Sequence, residues 1–346
     1  MKGLLVHVGI DSSNLGVVGP VFDDLHFEYI PLNNTYGIEE RTYSEFPARN
    51  REYGNTLSDF LPPKFRELPV HYDPNFKHFT YGQHGGIYPR VKVLEKLREG
   101  DILFFIASLA PYNPDVYKGD ITSLKPYQVG KKNKYVIGYF KVEGVAEAFV
   151  FKSSHRLTLA LLNVWSFQES GEIPLDLREM RQELGILEKY GYICKEEGDY
   201  RLTGEADNKI RSGEELLVAI DEMWPEEDDA REQFLENGYI DINIISGEVN
   251  EDKLKQNHHY KRLKPLDIDW FSLTVGDPKE SALLVRAIPL TEKYENGSFI
   301  LNNIGRQIRG RNTDTLRGTR WINEDGVSLL LDAISKTNPY IFKENK

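Results

Sequence analysis

Two β-favouring runs constrain this chain more than any other feature. EGDILFFIASL, residues 99–109, is a Gly-Asp turn feeding an apolar run, and KYVIGYFKVEGVAEAFVF, residues 134–151, supplies one or two further strands. Between them lies PYNPDVYKGDITSLKPYQVGKKNK, a polar loop with basic residues at its end. The pattern reads as a hairpin-built sheet with a long excursion, which in an all-strand setting suggests a small barrel.

The flanking segments are of three kinds. Residues 1–32 read as two strands joined by the small-residue loop GIDSSNLGVVGPVF, residues 9–22. From there to about residue 90 the chain is rich in Pro, Tyr, Asn and Gly with little periodicity, the character of ordered and often functional loops. A short amphipathic helix, VKVLEKLREG, ends on Gly100. From about residue 155 the spacing turns helical: HRLTLALLNVWSF and LDLREMRQELGILEKYGYI repeat apolar residues every three or four positions. Acidic EMWPEEDDAREQFLENG follows as a solvated helix or linker. Strand-like DWFSLTVGDP, LLVRAIPL and FILNNIG then precede a last helix, GVSLLLDAISK. The expected division is one discontinuous domain, residues 1–154 plus 250–346, carrying an insertion of residues 155–249.

Composition narrows the classes of function. With 346 residues, 40% of them hydrophobic and 28% charged, the chain can bury a core and is not a disordered polymer. Its net charge of -11 repels polyanions as a whole, so contact with nucleic acid needs a local basic face. The single Cys194 excludes an internal disulfide framework and a multi-cysteine zinc site, and fits a reducing compartment. No run approaches the ~18 apolar residues of a membrane span. The basic-then-apolar start lacks a signal-cleavage pattern. The expectation is a soluble cytoplasmic protein with no membrane partner.

Four groups of residues could carry chemistry. In the opening loop, glycines with Ser12 and Ser13 offer amides and hydroxyls that cradle an anion. There Asp11 can accept from a base edge or act as a general base, and plain turn capping accounts for it equally well. The spacing matches neither the P-loop nor the dinucleotide fingerprint. The second group is His71, Tyr72 and Asp73 in PVHYDPNF, with His78 and His84 nearby: a metal site, an acid and base pair, or hydrogen-bonding residues on a turn. Without an H-E-x-x-H arrangement no metal is assigned, and no cofactor is specified.

In the third group, QNHHYKRLKP, Asn257 and His258 sit with Lys261 and Arg262 beside Tyr260, a mixture suited to phosphate contact and base stacking or to a solvated loop. Just beyond, VGDPKES places Asp277 and Ser281 at an expected helix start, where they either cap the helix or accompany a phosphate. The fourth group is GRQIRGRNTDTLRGTRW, where Arg306, Arg309, Arg311, Arg317 and Arg320 accompany Trp321 against only Asp314. Arginine forks and stacks suit phosphates and bases. The competing reading pairs these arginines with the acidic 226–236 region.

Gly100, Asp101, Gly138 and their apolar neighbours resemble the PUA-like barrels, including the EVE and ASCH groups. More narrowly, GIDSSNLGVVGPVF, HYDPNF, the two β runs, NHHYKR and VGDPKESALLVRAIPLT occur in an order that resembles the third type of nucleotide modification associated domain. That likeness covers roughly residues 1 to 150 and 250 to 325. LEKYGYICKEEGDYRLTGEADNKI is similar to the last helix and wing of a winged helix-turn-helix. Together these resemblances imply an α+β fold: a PUA-like mixed β-barrel with flanking helices, interrupted by a mainly helical, winged-helix-like insertion.

Three functions remain open on the sequence. The first is a protein that binds nucleic acid or nucleotide through a local basic face and recognises or helps to modify a base in a barrel pocket. The second is an enzyme acting on a nucleotide or base with Asp11, His71 and Asp73 as acid and base. The third is a regulatory protein whose 155–249 insertion docks a protein partner.

Overall fold

The computed structural model describes residues 1–11, 15–33, 41–84, 93–113, 132–151, 154–170, 180, 184–185, 187–188, 191–196, 199–204, 206–208, 239–263, 270–314, 316 and 318–341. Its strands open with β1 (Gly3–His7), β2 (Gly19–Val21), β3 (Leu32–Asn33), β4 (Val70–His71), β5 (Thr80–His84), β6 (Ile102–Pro111) and β7 (Asn133–Phe151). After helix α1 (Ser154–Ser170) come β8 (Ile193–Glu196), β9 (Asp199–Leu202) and β10 (Tyr239–Gly247). Helices α2 (Glu251–Lys255) and α3 (His258–Leu263) lead to β11 (Trp270–Gly276), β12 (Ala282–Pro289), β13 (Thr291–Glu295) and β14 (Ser298–Leu301). Helix α4 (Asn303–Arg309), β15 (Thr313–Asp314), β16 (Arg320–Ile322) and α5 (Glu324–Thr337) complete the order.

The chain divides into two compact units. One comprises Met1–Glu147, Asn243–Arg262 and Phe271–Lys346; the other comprises Ala148–Ile242 and Leu263–Trp270. The fold is α+β and dominated by sheet.

The first unit is organised by β6. Its apolar run is buried along eight successive residues, so the strand must be covered on both faces, and it lies inside the sheet path β16-β1-β6-β7-β11-β5. β1 pairs parallel to it and β7 antiparallel, with Leu4 beside Leu103 and Phe104 beside Tyr139. Phe105 meets Phe76, Tyr81 and Phe140 edge to face, the arrangement that aromatic quadrupoles favour. The Gly-Asp turn before β6 has a clear local cause. Gly100 has φ +84°, and the Asp101 carboxylate accepts from the backbone N–H of Lys2 at 2.8 Å and of Arg98 at 3.1 Å. Helix α5 then lays Val327, Leu330 and Ile334 into the same core, its start capped by Asn323, which accepts from Gly326 N–H.

The 134–151 run belongs to a single strand, β7, of 19 residues, which is one of the two readings expected. Three expectations change. Among the described residues the sheet is an open path with side branches and closes no barrel, because β7 takes several partners along its length. LLVRAIPL lies in strand β12, as its strand-like pattern suggested, and the helix start expected at Asp277 and Ser281 does not form; Ala282 and Leu283 pair with β7 at Tyr139 and Gly138 before a register shift. In the expected helix VKVLEKLREG, Val93 and Leu94 are helical and the chain then turns, with Leu94 and Leu97 buried.

The second unit has its own core. Ala160, Leu161 and Val164 of α1 pack with Met180, Leu184, Leu187, Ile193, Leu202 and Ala206. β8 and β9 form a hairpin in the stretch expected to be a wing. Most of the expected recognition helix and the whole acidic 226–236 region lie outside the described residues. No helix among the described residues is long and apolar enough to cross a membrane.

Phe105→Ala should remove the ring on which three aromatic neighbours converge. A loss of about 3–5 kcal/mol is expected, read as a lower denaturant midpoint of the unit built on β6.

Candidate functional site

The short antiparallel pair β3–β4 sets Leu32 beside His71, and just beyond it the chain turns through Tyr72 and Asp73 into a cis Asp73–Pro74 bond. Apolar positions on either side, Val70 and Phe76, are buried and draw the turn inward. Asp73 is consequently 4% exposed, although its carboxylate is a strongly hydrated group. It is satisfied from two directions. Gly82 N–H of β5 points between both carboxylate oxygens at 3.2 Å, and the Asn257 amide donates to Oδ1 at 3.2 Å. The Tyr29 hydroxyl donates to the Asp73 carbonyl at 3.1 Å. Burial drives the Asp73 carboxyl up to about 7, against the Gly82 and Asn257 hydrogen bonds and the nearby His258.

Asn257 is fully buried and uses its whole side chain within the protein. Its Nδ2 donates to Asp73 and, at 3.3 Å, to Thr80 Oγ1, while its Oδ1 accepts from His259 N–H at 2.8 Å. The last of these bonds holds the first turn of α3. The next two side chains, His258 and His259, are each 3% exposed. His71 lies with its ring centroid 4.0 Å from that of His258 and 4.9 Å from that of His259. His259 Nε2 stands 3.4 Å from Asp73 Oδ2. The ligating atoms of His71, Asp73 and His259 all fall within 4.8 Å of one another. Gly82 makes this approach feasible, since a Cβ there would stand 2.6 Å from the His259 ring and 3.0 Å from Asn257 Oδ1.

Beside this node opens a cavity of about 370 Å³ lined by Tyr29, Phe46, Tyr72 and His258 together with Arg41, Arg49, Lys77 and His78. Among the described residues that line it none is acidic. Phe46 and Tyr72 stack at 5.6 Å and 20°, and the Arg41 guanidinium lies 4.2 Å over the Phe46 ring. Arg49 is built into the wall. Its guanidinium donates to the Leu284 carbonyl at 2.8 Å and covers Phe27 at 5.1 Å, while its backbone N–H and that of Asn50 donate to buried Glu28.

The sequence-derived residues fall into separate places. His71, Asp73, Asn257 and His258 come together as described. Asp11 joins another cluster, 3.9 Å from His7 Nδ1. There His7 Nε2 meets Ser108 Oγ at 3.2 Å and Lys134 Nζ at 2.6 Å, and Lys134, itself buried, donates to Ser108 at 2.7 Å. Asp277 caps the turn between β11 and β12, not a helix start, and Ser281 ties that turn to β7. Asp277 accepts from Lys279 N–H, and Ser281 from Lys141 N–H. In the arginine-rich stretch, Arg309 Nε donates to Asp314 at 2.7 Å, and Arg311 reaches the same carboxylate. Arg306 stands 3.6 Å from Glu292, Arg320 donates to the Thr319 carbonyl, and Trp321 is half-buried opposite Leu4 on β1. Ser12, Ser13 and Arg317 lie outside the described residues, as do the side chains of His84, Lys261 and Arg262.

Sequence reading missed Arg41, Phe46, Arg49, Gly82 and His259. The doublet His258-His259 was in view, but only the register of α3 separates their roles. Arg41, Phe46 and Arg49 sit in a stretch without periodicity and carried no signal of convergence.

Residues 2–161 match the family model of Nucleotide modification associated domain 3, the family whose pattern the sequence resembles. The matched segment includes His71, Asp73 and the aromatic wall, whereas Asn257, His258 and His259 lie beyond it. No curated protein and no solved structure matches the chain.

Two expectations follow. Gly82→Ala should push the start of α3 away from β5 and lower the melting temperature by several degrees, whereas Gly204→Ala, where an added Cβ meets open space and φ is not positive, should lower it by less. Although burial pushes Asp314 up, Arg311 and Arg309 hold it down at about 2, below its ordinary 3.8. Its stabilisation is therefore complete above pH 3.8 and is lost as pH falls through about 2. The melting-temperature gap between wild type and Asp314→Asn should be steady near neutrality and close across that acid window.

Proposed function

We propose that the first unit binds a single unstacked nucleotide, free or within a single strand, in the cavity beside Asp73, as the recognition step of a nucleotide-modification system. The observation that carries this reading is the pile Arg41–Phe46–Tyr72 set in a wall of positive charge. A base adds to such a pile because every base has a π face, and guanidinium planes stack on bases as readily as aromatic rings do. A phosphate then meets Lys77 and His78 at the rim. The volume, about 370 Å³, sits at the low end of small-ligand sites and suits one nucleotide and not a duplex. The family association points the same way.

This keeps base recognition, as the sequence suggested, and moves it from Asp11 and Asn257 to the residues lining the cavity. It also resolves the charge problem, since a chain of net charge -11 presents an acid-free pocket. Arg309 and Arg311 of the basic stretch are given a structural part, with Asp314 as their anchor.

The test is a binding titration of a short fluorescent single-stranded oligonucleotide over a series of salt concentrations. Replacing Arg41 and Lys77 together by Ala should weaken binding about tenfold, through the lost stack and the lost phosphate contact, and flatten the slope of log K against log salt by about 0.7 for the phosphate contact of Lys77. Competition by free mononucleotide should separate pocket binding from backbone binding. An unchanged affinity and slope in the double variant would sink the proposal.

A further inference from the structure

We propose that His71, Asp73 and His259 bind one divalent first-row transition-metal ion. Two imidazoles and one carboxylate form a donor set that suits iron(II), manganese(II) or zinc, and their ligating atoms already lie within 4.8 Å of one another. The 3.4 Å between His259 Nε2 and Asp73 Oδ2 is close to the separation of two ligands that share one ion at bond lengths of about 2.0–2.2 Å.

The surroundings are arranged as metal sites require. The Asp73 carboxylate is oriented by donors from outside the triad, with Asn257 on Oδ1 and Gly82 N–H on both oxygens, so that Oδ2 faces His259. Such outer hydrogen bonds fix ligand direction before an ion arrives. Asn257 serves twice, because its Oδ1 also holds the His259 backbone. One amide thereby positions two ligands brought from distant parts of the chain. The simpler account is a buried His–Asp ion pair, but such a pair does not need a second imidazole. His71 supplies one, its ring 4.9 Å from that of His259. The triad stands one residue behind the cavity wall, since Tyr72 and His258 both line that cavity.

The experiment uses the full chain, freed of metal by chelation and titrated separately with manganese(II), zinc and, without oxygen, iron(II), with no nucleotide present. Ion binding is thereby read independently of the base pocket. About one equivalent of at least one ion is expected, with a rise in melting temperature that grows with ion concentration. His71→Gln and His259→Gln should each weaken binding at least tenfold and abolish that rise, while their own melting curves report whether they fold. His26→Gln, which alters an exposed His–Asp pair, should bind like wild type. If the triad variants do not fold, X-ray absorption of the wild-type complex decides the matter: two imidazoles in the first coordination sphere support the assignment, and their absence overturns it. Wild-type protein that takes up no stoichiometric ion, or triad variants that bind as tightly as wild type, would also overturn it.

Discussion

The buried carboxylate of Asp73 is the constraint around which the first unit is arranged. A buried carboxyl in that position demands donors, and among the described residues the nearby chain provides the Gly82 N–H of β5. Another comes from Asn257, 184 residues further on. Satisfying one oxygen therefore fixes where the 250–263 helices lie against β5, and with them the two histidines that follow Asn257. A glycine at position 82 is the geometric condition for that contact. Stability, histidine placement and the shape of the neighbouring cavity are thus one problem in desolvation.

The sheet was legible because its signal is periodic and local. Eight consecutive buried residues in β6 follow directly from its apolar run, and the Gly-Asp turn before it does in structure what those two residues do in sequence. Closure is another matter. Whether β7 completes a barrel depends on which strands it pairs with along its 19 residues, a tertiary choice that neither propensity nor alternation encodes. SALLVRAI illustrates the same limit, since a run of this length fits a helix or a strand until the pairing with β7 decides it.

The candidate site was half legible. His71, Asp73, Asn257 and His258 drew attention because polar residues of these types in Pro-rich and basic loops carry few structural signals of their own. Their convergence was invisible, being set by hydrogen bonds between segments far apart in sequence. Net charge misled in the opposite direction. The most basic stretch of the chain folds Arg309 and Arg311 onto Asp314, while the acid-free cavity gathers isolated cations from residues 41, 49 and 77. A cluster along the sequence is a poor guide to a cluster in space when carboxylates are interleaved with it.

The separation of Asp73 from Asn257 also has a consequence for biosynthesis. At about 5–20 residues per second, a ribosome needs on the order of 10–40 s to add the 184 residues that part them. Throughout that interval the nascent β4–β5 segment carries a carboxylate without its distal donor, while the second unit, whose core is its own, is emerging from the exit tunnel. The order of synthesis thus leaves the half-built centre hydrated and open until the last of its residues arrives, and the closing contact is a late, long-range event in the folding of the nascent chain.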